Sequence, residues 1–291
     1  MKTTPQPIDR LDRPSAETVY RHFVRRNRPV IITGVADKWG AVARWTPEYF
    51  QASFQNLEVN YATWKSSTPT DDPAEYLAKR RTLRINLGAY VDRMRSAKDP
   101  HDYVLNFPIF RHVPQLKTDI EPLGHYMGFR GCYPKSLQHR LQEDPRFFLG
   151  PAATVSFLHF DGYNNFFVQV YGRKQFLLMS PAQSSLAYYP WRYPNVHYSP
   201  VNVEDPDFER FPLFREAQLL EATLVPGEIL FIPVRWWHYA RALDESISLN
   251  FWWYSLSTFL RLWHPLMLHG KGKVRNYLRR RFARDSISKP A

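Results

Sequence analysis

Apolar positions along this chain come in short bursts whose rhythm changes with position. After a polar lead, Ala16–Arg26 carries apolar residues at helical spacing, and Pro29–Gly34 is a β-branched run closed by glycine, which predicts a buried strand and a turn. From 35 to 145 the pattern predicts short helices over Pro47–Phe54 and Leu87–Arg95 and extended segments over Leu57–Thr63 and Tyr103–Phe107. No Gly-x-Gly-x-x-Gly, phosphate loop, internal repeat or low-complexity segment appears, and these pieces are too short for a doubly wound sheet. From 146 onward strands dominate: Thr154–Phe160, Asn165–Tyr171, Gln175–Met179, Ala222–Val225, Ile229–Ile232, Trp236–Arg241 and Ser246–Trp253. Gly172-Arg173 between two of them predicts a tight hairpin, and Ser180–Phe214 is a proline- and tyrosine-rich excursion. Many short strands spaced by turn residues predict an antiparallel barrel or sandwich.

The remaining stretch returns to helical spacing. Leu256, Phe259, Leu260, Trp263 and Met267 form one apolar stripe, which Pro265 must kink or end; Val274, Tyr277, Leu278 and Phe282 form a second. Opposite the second stripe lie Lys271, Lys273, Arg275, Arg279, Arg280, Arg281 and Arg284 with no acid among them. Such a run reads either as a solvated helix face or as a contact for an RNA backbone or an acidic peptide.

Composition narrows the class. Aromatics at 16% and apolar residues at 44% of 291 residues belong to a packed protein rather than a disordered one. The formal charge of +12, from 39 Lys+Arg against 27 Asp+Glu, favours anionic partners. Cys132 is the single cysteine, so no intrachain disulfide forms and a reduced compartment fits. Met1–Arg13 lacks a signal peptide's apolar core, and no apolar run approaches the roughly 20 residues of a membrane span. These features predict a soluble chain of the cytoplasm, with the nucleus also open to it, and no membrane partner.

The sharpest candidate chemistry is His159-x-Asp161 with a distant His238. Residues i and i+2 of a strand face the same way, so one strand end can offer an imidazole and a carboxylate to one ion. A third ligand from another strand leaves open positions of the kind non-haem iron(II) oxygenases use. A structural zinc site would instead close its coordination, commonly with thiolates, which Cys132 alone cannot supply. A His-x-Asp pair by itself arises by chance in about half of chains of this composition. Lys174 opens the strand after the Gly172-Arg173 turn; facing into a barrel it would need an anion, and a dicarboxylate would serve. His22, His101, His112, His125, His139, His264 and His269 read as structural or surface residues.

The segment Asp161–Lys174, reading Asp-Gly-Tyr-Asn-Asn-Phe-Phe-Val-Gln-Val-Tyr-Gly-Arg-Lys, resembles the signature of the JmjC and cupin-like 2-oxoglutarate oxygenases, above all the asparaginyl hydroxylase factor inhibiting HIF. Pro206–Pro212, Pro226–Pro233, Trp236-Trp237-His238 and Leu249–Trp252 are similar in order, as is Arg28–Gly34 followed by Trp39. The resemblance covers most of residues 20–254. It implies a mainly β fold with flanking α, a double-stranded β-helix (cupin or jelly-roll) core over about 146–254, N-terminal α/β elements and C-terminal helices. The oxygenase domain would be 1–254, and 255–291 a basic helical tail resembling the dimerising tail of the hydroxylases.

Carried over by position, the resemblance implies His159, Asp161 and His238 as iron(II) ligands and Lys174 as partner of the distal 2-oxoglutarate carboxylate. Tyr103 and Ser156 would add hydroxyl hydrogen bonds, Asn165 and Asn250 would line the iron-side carboxylate, and Phe167 and Trp252 would wall the pocket. The cosubstrates would be 2-oxoglutarate and dioxygen, the co-products succinate and carbon dioxide, with no catalytic side chain beyond the metal centre. His197 and Tyr198 stand where the asparaginyl hydroxylase has an arginine–glutamine pair, so they are expected at the substrate. A protein side chain is the expected target. RNA or a nucleotide, a small molecule and lysine demethylation are the alternatives, with a zinc or manganese isomerase and a non-catalytic cupin further off.

Overall fold

The computed structural model describes residues 4–63, 80–96, 102–128, 144–189 and 197–254. The stretch 255–291, Cys132, His101, His139, His264 and His269 lie outside the described residues, and with them the expected tail helices and dimer contact.

Two sheets form the body. The first has the order β1 (Gln6–Pro7), β11 (Leu219–Leu224), β10 (Lys174–Met179), β13 (Trp237–Ala242), β8 (Val155–Phe160). The second has the order β2 (Arg10–Asp12), β3 (Val30–Thr33), β12 (Ile229–Ile232), β9 (Asn164–Tyr171), β14 (Ser246–Trp253), β7 (Arg146–Gly150), β6 (Val104–Phe107). A hairpin of β4 (Glu58–Thr63) and β5 (Arg81–Asn86) continues from β6 through a bridge between Ala62 and Tyr103. This is the double-stranded β-helix expected of the cupin fold.

Alternation sorts the apolar residues by sheet face. Ile31, Phe167, Phe176, Leu178, Leu224, Leu230 and Ile232 point between the sheets and fill one end of the barrel. Their neighbours Val30, Ile32, Phe166, Val168, Ile229 and Phe231 turn outward and pack under the helices Pro47–Phe54 and Leu87–Ser96. On the far side Leu158, Phe160, Trp237 and Tyr239 pack against the excursion after β10. β9 is covered on both faces, which is why its sequence reads as a nearly continuous apolar run.

The expected hairpin at Gly172-Arg173 does not form. β9 pairs with β12 and β14, whereas β10 pairs with β11 and β13, so Gly172-Arg173 is a corner that carries the chain from one sheet to the other. The turns after β7, β8, β11, β12 and β13 also switch sheets. A turn's residues state where the chain bends, whereas which strand becomes the hydrogen-bonding neighbour is decided by distant pairing.

Other differences are smaller. The polar lead supplies β1 and β2, paired in parallel with β11 and β3. β5, too charged to read as a strand, is held by its pairing with β4. The helix expected over Ala16–Arg26 starts on the Ser15 cap, runs to Val19 and continues as a π turn, Tyr20–Val24.

Gly172 has φ +67°, and a Cβ there would meet the Glu245 carbonyl oxygen at 2.0 Å, where the β9–β10 and β13–β14 corners cross. Gly172→Ala is therefore expected to cost about 2–4 kcal/mol by combining a left-handed backbone with backbone overlap. Urea unfolding measures it, and a change under about 0.5 kcal/mol would contradict the close crossing.

Candidate metal centre and cosubstrate pocket

Backbone pairing assembles the three donors. β13 lies antiparallel to β8 with His238 directly opposite His159, and Asp161 follows one residue past the end of β8. The ligand atoms of His159, Asp161 and His238 all lie within 4.8 Å of one another, and the two imidazole centroids are 4.2 Å apart. His159 Nδ1 is 2.6 Å from the Phe157 carbonyl and His238 Nδ1 is 3.0 Å from the Trp236 carbonyl. A carbonyl only accepts, so each Nδ1 carries the proton and each Nε2 lone pair is free for a metal.

His238 is buried, and burial, reinforced by neighbouring His159, pushes its pKa down to about 4 against the opposing pull of Asp161. The 3.9 Å approach of His238 Nε2 to Asp161 Oδ2 is therefore not an ion pair near neutral pH. It is two lone-pair donors aimed at one point, an arrangement that a bound cation would stabilise. Trp252 Nε1 donates to Asp161 Oδ2 at 3.1 Å and fixes that carboxylate. The donor set thus fits a divalent ion held on one face.

Short backbone links hold the donors in place. Arg235 N–H donates to the Asp161 carbonyl at 3.0 Å, and Val234 N–H to buried Asn164 Oδ1 at 3.0 Å. The turn that delivers His238 is thereby tied to the loop that delivers Asp161. Between His238 and Ala240 on β13 the partner residues on β8 run from His159 to Ser156, three steps against two. This bulge resets the alternation, so Ser156 reaches the same cavity as His159 despite their odd spacing.

The cavity beside the metal face has a volume of about 300 Å³. All twelve expected site residues line it: the three donors, Tyr103, Ser156, Asn165, Phe167, Lys174, His197, Tyr198, Asn250 and Trp252. Lys174 is 3% exposed; its Nζ donates to Tyr103 Oη at 2.8 Å and to Ser248 Oγ at 3.3 Å, between the rings of Tyr103 and Phe167. No carboxylate pairs with it among the described residues, and burial pushes its pKa down to about 7. Tyr103, itself pushed up by burial, has room because a Cβ on Gly150 would meet its ring at 2.6 Å. Asn165 Nδ2 donates to Asn250 Oδ1 at 2.8 Å, leaving Asn165 Oδ1 buried without a protein partner. A lone ammonium flanked by hydroxyls and carboxamides is suited to a bound carboxylate.

Ser248 and the cavity-lining Arg80 and Phe148 were missed in the sequence. Ser248 had a signal, since it lies two residues before Asn250 on β14 and faces the same way. Arg80 and Phe148 had none, because their approach depends on how β5 and β7 fold against the barrel mouth.

His197 and Tyr198 lie against β8, not free in the cavity. His159 bridges to Tyr198, Phe160 N–H donates to the His197 carbonyl at 3.1 Å, and Ser199 N–H donates to the Leu158 carbonyl at 2.8 Å. The Tyr198 ring stacks on His159 with centroids 5.1 Å apart, and His197 stacks on Phe160 at 4.5 Å.

Residues 16–259 match the family model described as a cupin-like domain. The chain belongs to that family. Within it, Lysine-specific demethylase 8 of Xenopus tropicalis is 35% identical over 250 residues, covering 84% of this chain and 52% of that protein. The Danio rerio protein of the same name is 33% identical over 251 residues, covering 84% and 58%. Bifunctional peptidase and (3S)-lysyl hydroxylase JMJD7 of Homo sapiens is 27% identical over 277 residues, covering 86% and 84%. The chain thus spans little more than half the length of the two demethylase-named relatives. JmjC relatives of this cupin-like chain are 2-oxoglutarate-dependent oxygenases, demethylases and a hydroxylase among them. Among the described residues, no helix is long and apolar enough to cross a membrane.

The isolated Lys174 ammonium has a measurable signature. Unfolded, lysine keeps its proton to an ordinary 10.5, whereas folded Lys174 keeps it only to about 7. Between these values the unfolded chain binds more protons, so this residue makes ligand-free stability rise with pH. Lys174→Met is expected to raise ligand-free stability at neutral pH by about 1–4 kcal/mol and to flatten that rise. It should also remove the stabilisation that 2-oxoglutarate confers. Thermal melts across the pH range, with and without 2-oxoglutarate, check all three; an unchanged pH profile would contradict the unpaired charge.

Proposed function

We propose that this chain is an iron(II)- and 2-oxoglutarate-dependent dioxygenase that hydroxylates an amino-acid side chain of a protein substrate. The observation that carries the reading is the sharing of one cavity by two complementary halves: an open three-donor face and a buried lysine without a counter-ion among the described residues. In this reading His159, Asp161 and His238 hold iron(II), and Lys174, Tyr103 and Ser248 hold the distal carboxylate of 2-oxoglutarate. Ser156, Asn165 and Asn250 line the rest of that molecule, and Phe167 and Trp252 wall it. Bound iron(II) would supply the dioxygen chemistry that side chains lack, with succinate and carbon dioxide formed as a substrate carbon gains oxygen.

The protein's own part is geometric. The Phe157 and Trp236 carbonyls hold both imidazoles in the ligating tautomer, and Trp252 holds Asp161. The apolar barrel end excludes water behind the cosubstrate. Tyr198 and His197 would form the substrate side, and because they replace an arginine–glutamine pair, grip of an asparagine amide is not part of the proposal.

Lysine demethylation is the second reading, favoured by the names of two relatives. The same oxidation applied to an N-methyl carbon gives a hemiaminal that sheds formaldehyde, so substrate and product distinguish the two. A catalytic unit over 1–254 with a separate tail, RNA contact through that tail and homodimerisation stay proposals of the same standing.

The test is incubation of the full chain with iron(II), 2-oxoglutarate and dioxygen plus fractionated protein and RNA. A one-oxygen mass gain in protein is expected, falling at least about 100-fold in His159→Ala. Formaldehyde release from methylated peptides would establish demethylation instead, and a gain confined to RNA would overturn the protein substrate.

A further inference from the structure

Arg235 sits in the turn between β12 and β13, three residues before His238, with φ +66°. A left-handed backbone is uncommon outside glycine and asparagine, so arginine here is locally unfavourable and calls for a compensating role. Its backbone is held by the 3.0 Å hydrogen bond from its N–H to the Asp161 carbonyl, which places the residue at the rim of the metal face.

The side chain is half-buried, yet among the described residues its guanidinium makes no hydrogen bond and no ion pair. Other arginines of this chain find carboxylates: Arg241 with Glu204 at 2.6 Å, Arg173 with Asp244 at 2.7 Å and Arg93 with Asp102 at 2.5 Å. Burial pushes Arg235 below the ordinary arginine range, and its charge acts on both Tyr189 and His197. Those two side chains touch, Tyr189 Oη lying 3.1 Å from His197 Nδ1, and His197 lines the cavity. Among the described residues, Lys174 lines the cavity as a buried cation, with Asp161 as the acid beside the two imidazoles.

We propose that Arg235, with His197 and Tyr189 beside it, forms an anion subsite that takes a carboxylate side chain of the protein substrate flanking the residue being oxidised. This rests on the protein-substrate reading above. A planar guanidinium offers two parallel donors that match one carboxylate, and partial burial strengthens that pairing relative to the open surface. An RNA backbone is the poorer fit, because tracking successive phosphates requires several spaced cations, whereas here one guanidinium stands by the Tyr189–His197 pair.

The test uses the full chain loaded with manganese(II) and 2-oxoglutarate under nitrogen, so that binding is read without turnover. Two pools of short labelled peptides, identical except for glutamate or glutamine at the same positions, are titrated by fluorescence anisotropy. The glutamate pool is expected to bind about tenfold more tightly, the scale of one charge-assisted pair, and to lose that advantage as salt rises. Arg235→Asn, chosen because asparagine tolerates a left-handed backbone, should abolish the preference, and Arg235→Lys should keep part of it. Equal affinity of both pools for the wild type, or a preference that survives in Arg235→Asn, overturns the subsite. Arg235-dependent binding of a single-stranded RNA oligonucleotide, with no peptide preference, overturns it in favour of nucleic acid. Repeating the incubation with iron(II) and dioxygen separates the two readings. Acid-selective binding with no oxygen gain in either pool upholds the subsite and removes protein oxidation, whereas oxygen gain without acid selectivity removes the subsite alone.

Discussion

Antiparallel hydrogen bonding between β8 and β13 sets His238 opposite His159, and the polar interior is arranged around that register. A slip of one residue by either strand would turn its imidazole to the outer face, into the cluster where Leu158, Phe160, Trp237 and Tyr239 now sit. The outer aromatic packing and the inner metal face therefore enforce each other. The same pairing continues into β10, where Leu178 lies opposite His238 and Lys174 opposite Ala242, so the lysine stands four residues deeper on the same inner face. Metal face and carboxylate partner are two levels of one continuous ladder.

Electrostatically the interior is complete only with its ligands. Among the described residues, Lys174 has two hydroxyls and two aromatic faces but no anion, and the three donors present lone pairs to one another. Neither arrangement is favourable alone in a poorly hydrated site. The unfavourable groups lie in one cavity, while the surrounding β-strand ladders and apolar clusters hold them in position. A divalent ion and a carboxylate bound together would relieve this polarity.

The rim follows a different logic. Tyr198 and His197 are fixed by backbone contacts to β8, and Arg235 by its bond to Asp161, so the groups proposed for the substrate side are tied to the segments that carry His159 and Asp161. A substrate held there would be located relative to the metal by a short run of covalent and hydrogen bonds.

Local sequence was enough for the strands themselves, because alternation and β-branched runs report burial directly, as in β8, β9 and β14. It also held the candidate donors, since His159-x-Asp161 depends only on the two-residue repeat of a strand. The resemblance running from Asp161 to Lys174 pointed to the residues that share the cavity. Tertiary structure decided what depends on partners far away in the chain. Gly172-Arg173 became a corner rather than a hairpin because β9 and β10 pair elsewhere. Ser156 reached the cavity because a bulge opposite β13 shifted its phase, and Arg80 and Phe148 joined it through closure of the barrel mouth. Turn and alternation signals are local properties of a few residues, but sheet membership, bulge position and cavity walls are set by hydrogen-bond pairing between segments as distant as Gln6 and Leu220 or Ile32 and Ile229, and no local pattern encodes that choice.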